Sequence, residues 1–141
     1  MESTDLINSD LQDGEQSFTG LGFLNFGLMK VLVVHRQEAV LQNIKDQLGQ
    51  WHVEGYGNGL EGLMAAKMSM FDLILCGQDL PVVTGIEMIR SIRNLSLNRR
   101  TPVILLAEGT ETEEHSRIFQ LLNANLMTMD EISEMKNLDI E

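Results

Sequence analysis

Phe71-Asp72-Leu73-Ile74-Leu75-Cys76-Gly77-Gln78-Asp79-Leu80-Pro81-Val82-Val83-Thr84-Gly85 opens as a short apolar run and closes in a loop punctuated by Pro81 and Gly85. Leu73–Cys76 is apolar at every position, the pattern of a strand buried on both faces. Such strands belong to parallel sheets covered by helices, and the flanking sequence supplies the partners. Upstream, Val31-Leu32-Val33-Val34 repeats the pattern, and downstream Thr101-Pro102 leads into Val103-Ile104-Leu105-Leu106. His52-Val53-Glu54-Gly55-Tyr56 reads as a short alternating strand at an edge, and Leu126-Met127 as a weak fifth strand.

Helical spacing fills the gaps between these strands. Leu41, Ile44, Leu48 and Trp51 predict a helix over about 37–49, with Gly49 as its stop. Leu60, Leu63, Met64 and Met68 predict a second over about 58–69. Met88, Ile89, Ile92 and Leu95 form a third stripe, and His115, Ile118, Phe119 and Leu122 a fourth, after an acidic first turn of Glu111, Glu113 and Glu114. Ile132 and Met135 suggest a short last helix. Met64, Met68, Met88 and Met135 fall at expected core positions. Strands alternating with helices through short connections predict an α/β fold: a doubly wound, flavodoxin-like, five-stranded parallel sheet of order 2-1-3-4-5. In such sheets function gathers at the carboxyl ends of the strands, beside the switch point between strands 1 and 3.

The 141 residues suffice for one domain with a real core. Residues 1–28 lack helical or strand periodicity and predict a flexible N-terminal extension, with 29–141 as the folded domain. Within the extension, Phe18–Leu28 holds three of the five phenylalanines; it either packs on the domain or serves as a short adhesive motif. No apolar run reaches the roughly 18 to 20 residues of a membrane span, and the acidic start is unlike a signal peptide, so a cytoplasmic protein is expected. The lone cysteine, Cys76, excludes an internal disulfide and a zinc-ligand set and reads as a core residue. The net charge of −11 argues against nucleic acid as a partner. Residues 1–29 carry five acids and no base, and residues 108–141 nine acids against two bases. The acidity therefore lies at the two ends.

In the order and spacing of Lys30–Val34, Phe71–Leu75, Pro81 with Gly85, Gly85–Arg93 and Thr101–Ile104, residues 29–138 resemble the receiver domains of two-component response regulators. That resemblance implies an acidic pair after the first strand that holds Mg²⁺ and a phosphoacceptor aspartate ending the third. It also implies a Ser or Thr ending the fourth strand and a lysine ending the fifth. Here the acidic pair falls on His35 and Arg36, the acceptor on Gly77, the hydroxyl on Ala107 and the lysine on Met129. All five groups are missing. Gly77 offers no nucleophile, and His35 and Arg36 put neutral or positive donors where a hard cation needs oxygen. Asp72 starts the third strand, at the wrong end of the sheet, while Asp79 lies on the right loop. The resemblance is thus to the degenerate, or pseudo-receiver, branch.

The expectation is a protein without catalytic residues, metal or cofactor that signals or scaffolds by contact with another protein, independently of phosphorylation. No output domain is expected after the fifth helix. The degenerate pocket comprises His35, Arg36, Gly77, Asp79, Ala107 and Met129. Arg36 is expected to pair with Asp79 or Glu108; the alternative is a small-ligand or anion sensor at the same pocket. By analogy with receivers, a partner or a second copy would use the face of the fourth helix, fifth strand and fifth helix, at Glu111, Glu114, Met127, Glu131 and Glu134. The bland alternative for those acids is a solvated helix face.

Overall fold

The computed structural model describes residues 29–138; the Phe18–Leu28 stretch lies outside them. Five strands, β1 (Lys30–Val34), β2 (His52–Tyr56), β3 (Leu73–Cys76), β4 (Val103–Leu106) and β5 (Ala124–Met127), alternate with five helices. These are α1 (Glu38–Gln47), α2 (Gly59–Met68), α3 (Gly85–Leu95), α4 (Glu113–Leu121) and α5 (Met129–Leu138). Every strand pair is parallel and the order is β2-β1-β3-β4-β5, as the alternation predicted.

The continuous apolar runs are explained by two cores, one on each side of the sheet. Leu32, Val34, Ile74, Cys76, Val103 and Leu105 face α2, α3 and α4 and pack with Ala66, Met88, Ile89, Ile92 and Phe119. Val31, Val33, Leu73, Leu75, Ile104 and Leu106 face α1 and α5 and pack with Leu41, Ile44 and Ile132. Trp51 is buried in this second core, but from the turn after α1 rather than from the helix. No helix among the described residues is long and apolar enough to cross a membrane.

Two expected core positions are corrected. Met64 and Met68 are 56% and 77% exposed, whereas Met88 is fully buried and Met135 packs against the second core. The cause lies under α2, whose buried residues are Gly59, Gly62 and Ala66. A Cβ on Gly62 would come within 2.6 Å of Val34 Cγ2 and 2.9 Å of the Met88 thioether. The helix lies so close to its neighbours that only small residues fit directly beneath it; Leu63 packs against the first core, while Leu60, Met64 and Met68 are turned outward. His115, on the fourth helical stripe, is a surface residue. Its Nδ1 accepts from Thr112 N, and its backbone N–H donates to Thr112 Oγ1, forming a cap for α4.

The amino-terminal end of the sheet is fastened by two polar side chains. Asn98, fully buried, donates to Ala66 O and Ser69 O and accepts from Phe71 N and Thr101 Oγ1. Arg93 donates to the carbonyls of Leu122, Arg99, Thr101 and Asn123. Together they tie the ends of α2, α3 and α4 to the starts of β3, β4 and β5.

Candidate functional site

At the carboxyl end of the sheet, the segments that follow β1, β3 and β4 enclose a cleft of about 490 Å³ lined by His35, Arg36, Gly77, Gln78, Asp79 and Glu108, among others. β1 delivers His35 and Arg36 directly after its last residue, and β3 delivers Gly77, whose N–H donates to Val34 O at 2.9 Å. Past Gly77 the loop turns sharply. Val83 N donates to Pro81 O at 2.8 Å across Val82, which has a φ of 71°. That left-handed conformation is costly for a β-branched residue. The loop closes where Gly85 N meets Gln78 O, and a Cβ on Gly85 would lie 2.3 Å from Gly77 O. Gly85 is needed for this close approach.

His35 and Gly77 fit each other. A Cβ on Gly77 would lie 2.9 Å from His35 Cδ2, so the imidazole stands where a side chain at position 77 would begin. The ring is held there by the backbone N–H of Gln37, which donates to Nδ1 at 3.1 Å. Nδ1 is therefore an acceptor and the neutral ring carries its proton on Nε2. Half-burial, and then the Arg36 charge, pull the His35 pKa below 6.5. Arg36 donates to Asp79 Oδ2 at 2.6 Å, so the expected ion pair forms with Asp79 and not with Glu108. Both partners are exposed, which limits the pair to about 0–1 kcal/mol of stability; its effect is on the charge and shape of the cleft.

The cleft does not gather every predicted residue. Met129 is the first residue of α5 and packs on the second core with Met127 and Met135. β5 ends at Met127, opposite Leu106, so the register places Thr128, not Met129, beside Ala107. Ala107 donates its N–H to Met127 O and is half-buried at the end of β4, outside the cleft lining. Cys76 is buried in the first core, where burial pushes its thiol up to about 12. The residue that sequence reasoning missed is Gln78. Its Nε2 donates to Leu106 O at 3.1 Å and to Glu111 Oε2 at 2.6 Å. Glu111 also accepts from Glu108 N and Gly109 N, and these backbone and side-chain bonds lower its pKa. Gln78 and Glu111 thus bolt the loop after β3 to the loop after β4. A lone glutamine carries no spacing signal that would reveal this.

The residues expected to bind a partner separate in the same way. Glu111 is committed to that bolt. Glu131 accepts from Thr128 N at 2.9 Å and caps α5, and Met127 is half-buried in the core. Glu114 and Glu134 are exposed, with no ion pair to any described residue.

The Mg²⁺ that the resemblance implies does not fit this cleft. His35 and Arg36 replace the oxygen ligands, the Asp79 carboxylate is paired with a guanidinium, and among the described residues no group of three or more His, Cys, Asp or Glu is placed to hold a metal.

Comparison with known proteins gives the family. Residues 31–129 match the response regulator receiver domain. The chain is 30% identical over 93 residues to the cell cycle transcriptional regulator CtrA of Caulobacter vibrioides, covering 64% of this chain and 39% of that regulator. The chemotaxis response regulator CheY4 of Vibrio cholerae superposes with a TM-score of 0.69 at 26% identity, over 80% of this chain and 98% of that one. The receiver domain of the sensor histidine kinase PA1611 of Pseudomonas aeruginosa, which has a magnesium ion coordinated in its active-site cleft, shares the fold with a TM-score of 0.64 at 22% identity. That match covers 79% of this chain and 94% of that one. The chain belongs to the response regulator receiver domain family, the signalling domains of two-component systems. It spans about two-fifths of the length of the curated regulator it matches.

Proposed function

We propose that this receiver is a pseudo-receiver that signals through contact with another protein, has no enzymatic activity and takes no phosphoryl group. The observation that carries this reading is the His35 ring standing over Gly77. The nucleophile is absent, its space is occupied, and the nearest carboxylate on the loop, Asp79, is held by Arg36. The Gln78–Glu111 bridge supports the same reading, because it joins the two loops without a phosphoryl group between them. The magnesium described for the PA1611 receiver would find here a neutral imidazole and a guanidinium.

An anion sensor is less favoured by the charges. Arg36 is already matched by Asp79 and Glu108 lies on the cleft wall, so an arriving anion meets no unpaired cation among the lining residues. Of the acids expected to meet a partner, Glu114 on α4 and Glu134 on α5 are free to contact a basic surface, and binding there should weaken as salt rises.

The test is an amide NMR titration of the full chain with Mg²⁺ and beryllium fluoride as a phosphoryl mimic. No saturable shift at Gly77–Asp79 is expected. Saturable shifts there would refute the reading and move the acceptor role to Asp79. A panel of anions run in parallel separates the sensor, which alone predicts saturation without Mg²⁺.

A further inference from the structure

We infer that the apolar segment Phe18–Leu28 of this same chain docks in the groove between α2 and the edge strand β2, against Met64 and Met68. Two features that the cleft leaves unexplained then account for each other.

The first is an apolar surface. Leu60, Met64 and Met68 follow one another at i, i+4 spacing along α2 and are 46%, 56% and 77% exposed, and Met70 just beyond is 64% exposed. A surface of this kind marks an interaction site more often than chance exposure. Beside it runs a groove of about 410 Å³, floored by Ala65 and walled by Met64 and Met68 on one side and by Glu54 and Tyr56 of β2 on the other. The methionines cannot turn inward, because Gly62 and Ala66 already bring α2 against Val34 and Met88.

The second is the Phe18–Leu28 segment, with Phe18, Leu21, Phe23, Leu24, Phe26 and Leu28 and no charged residue. It joins the domain at the right place. Met29 O accepts from His52 N at 2.8 Å, so the chain enters β1 beside the first residue of β2. α2 runs back from the end of β2 to the start of β3, which puts Met68 at that same end of the sheet. From Glu61 to Ser69 the groove follows roughly 12 Å of helix, and eleven residues span roughly 16 Å as a helix or 36 Å extended, so the segment reaches in either form. Tethering raises its local concentration to the millimolar range.

Charge selects this segment over the rest of the tail. Glu54 and Glu61 rim the groove and would repel Glu2, Asp5, Asp10, Asp13 and Glu15, but not the uncharged residues 18–28. Phenylalanine rings on thioethers are also a favourable pairing for a flexible, polarisable surface.

The experiment uses the full chain carrying ¹³C-methyl methionine. Expected are cross-relaxation peaks between phenylalanine ring protons and the Met64 and Met68 methyls, with upfield ring-current shifts of both. The double variant Phe23→Ser/Phe26→Ser should lose both effects while the buried Met88 methyl stays in place, which reports an intact fold. Met64 and Met68 signals unaltered by that variant would overturn the inference. So would peaks seen only between differently labelled chains in a mixed sample, since the groove would then receive a second copy.

Discussion

His35 and Gly77 are two departures from the receiver pattern that make a single device, because neither position reads correctly without the other. The ring needs the missing Cβ, and the vacancy at 77 is filled by the ring. Gly77→Ala should therefore force the imidazole away from Gln37 N and cost about 1 kcal/mol, the worth of one hydrogen bond. In a His35→Ala background the same change should cost little. A double-mutant cycle on urea midpoints measures the coupling, and additive effects would show that the two residues do not meet. The pH dependence has its sign fixed by the lowered His35 pKa. The unfolded imidazole, at about 6.5, binds its proton more tightly than the folded one. The stability His35 contributes is present above that value and is lost as pH falls from it towards the folded pKa. Glu111 acts in a lower window: its stabilisation is present above the ordinary carboxylate value and is lost as pH falls through its depressed folded pKa. Urea midpoints between pH 7.5 and 5.5 should drop in the native chain and drop less in His35→Asn.

At the scale of elements, the amide of Asn98 decides how α2 hands over to β3. Its removal leaves Ala66 O, Ser69 O and Phe71 N without their partner in a buried setting. Asn98→Ala should cost about 3 kcal/mol, read as a lowered denaturant midpoint with an unchanged slope. None of this was legible in advance, since one Asn between Leu97 and Arg99 has no pattern. The strands were legible because full apolar runs have one explanation in a short α/β chain, burial on both faces. The α2 helix was legible in extent, 58–69 against the observed Gly59–Met68, but not in orientation. Sequence periodicity credits long apolar residues with burial, while the packing here rewards the small Gly62 and Ala66. The cleft was legible at His35, Arg36, Gly77 and Asp79, whose places follow from Pro81 and the strand ends. It failed at Met129, because the end of β5 depends on pairing with β4 that a weak strand does not announce.

Seen whole, the molecule has two unlike ends. At the carboxyl ends of the strands the fastenings are exposed or half-exposed: the Arg36–Asp79 pair, the Gln78–Glu111 bridge and a strained turn at Val82. At the opposite end Asn98 and Arg93 grip eight backbone and side-chain groups, with Asn98 wholly buried. The Asn98 and Arg93 clasps thus give the domain a direction of opening. Amide protons near Ile74, Val103 and Ala124 should exchange with solvent only through global unfolding, while those of Gly77, Gly85 and Ala107 should exchange through smaller, local excursions. Native-state hydrogen exchange would show this as a gradient along the strands rather than across the sheet, and uniform protection from end to end would contradict it. A surface that must reshape itself to meet a partner would then be drawn from the end that breathes, with the clasped end serving as the fixed hinge plate.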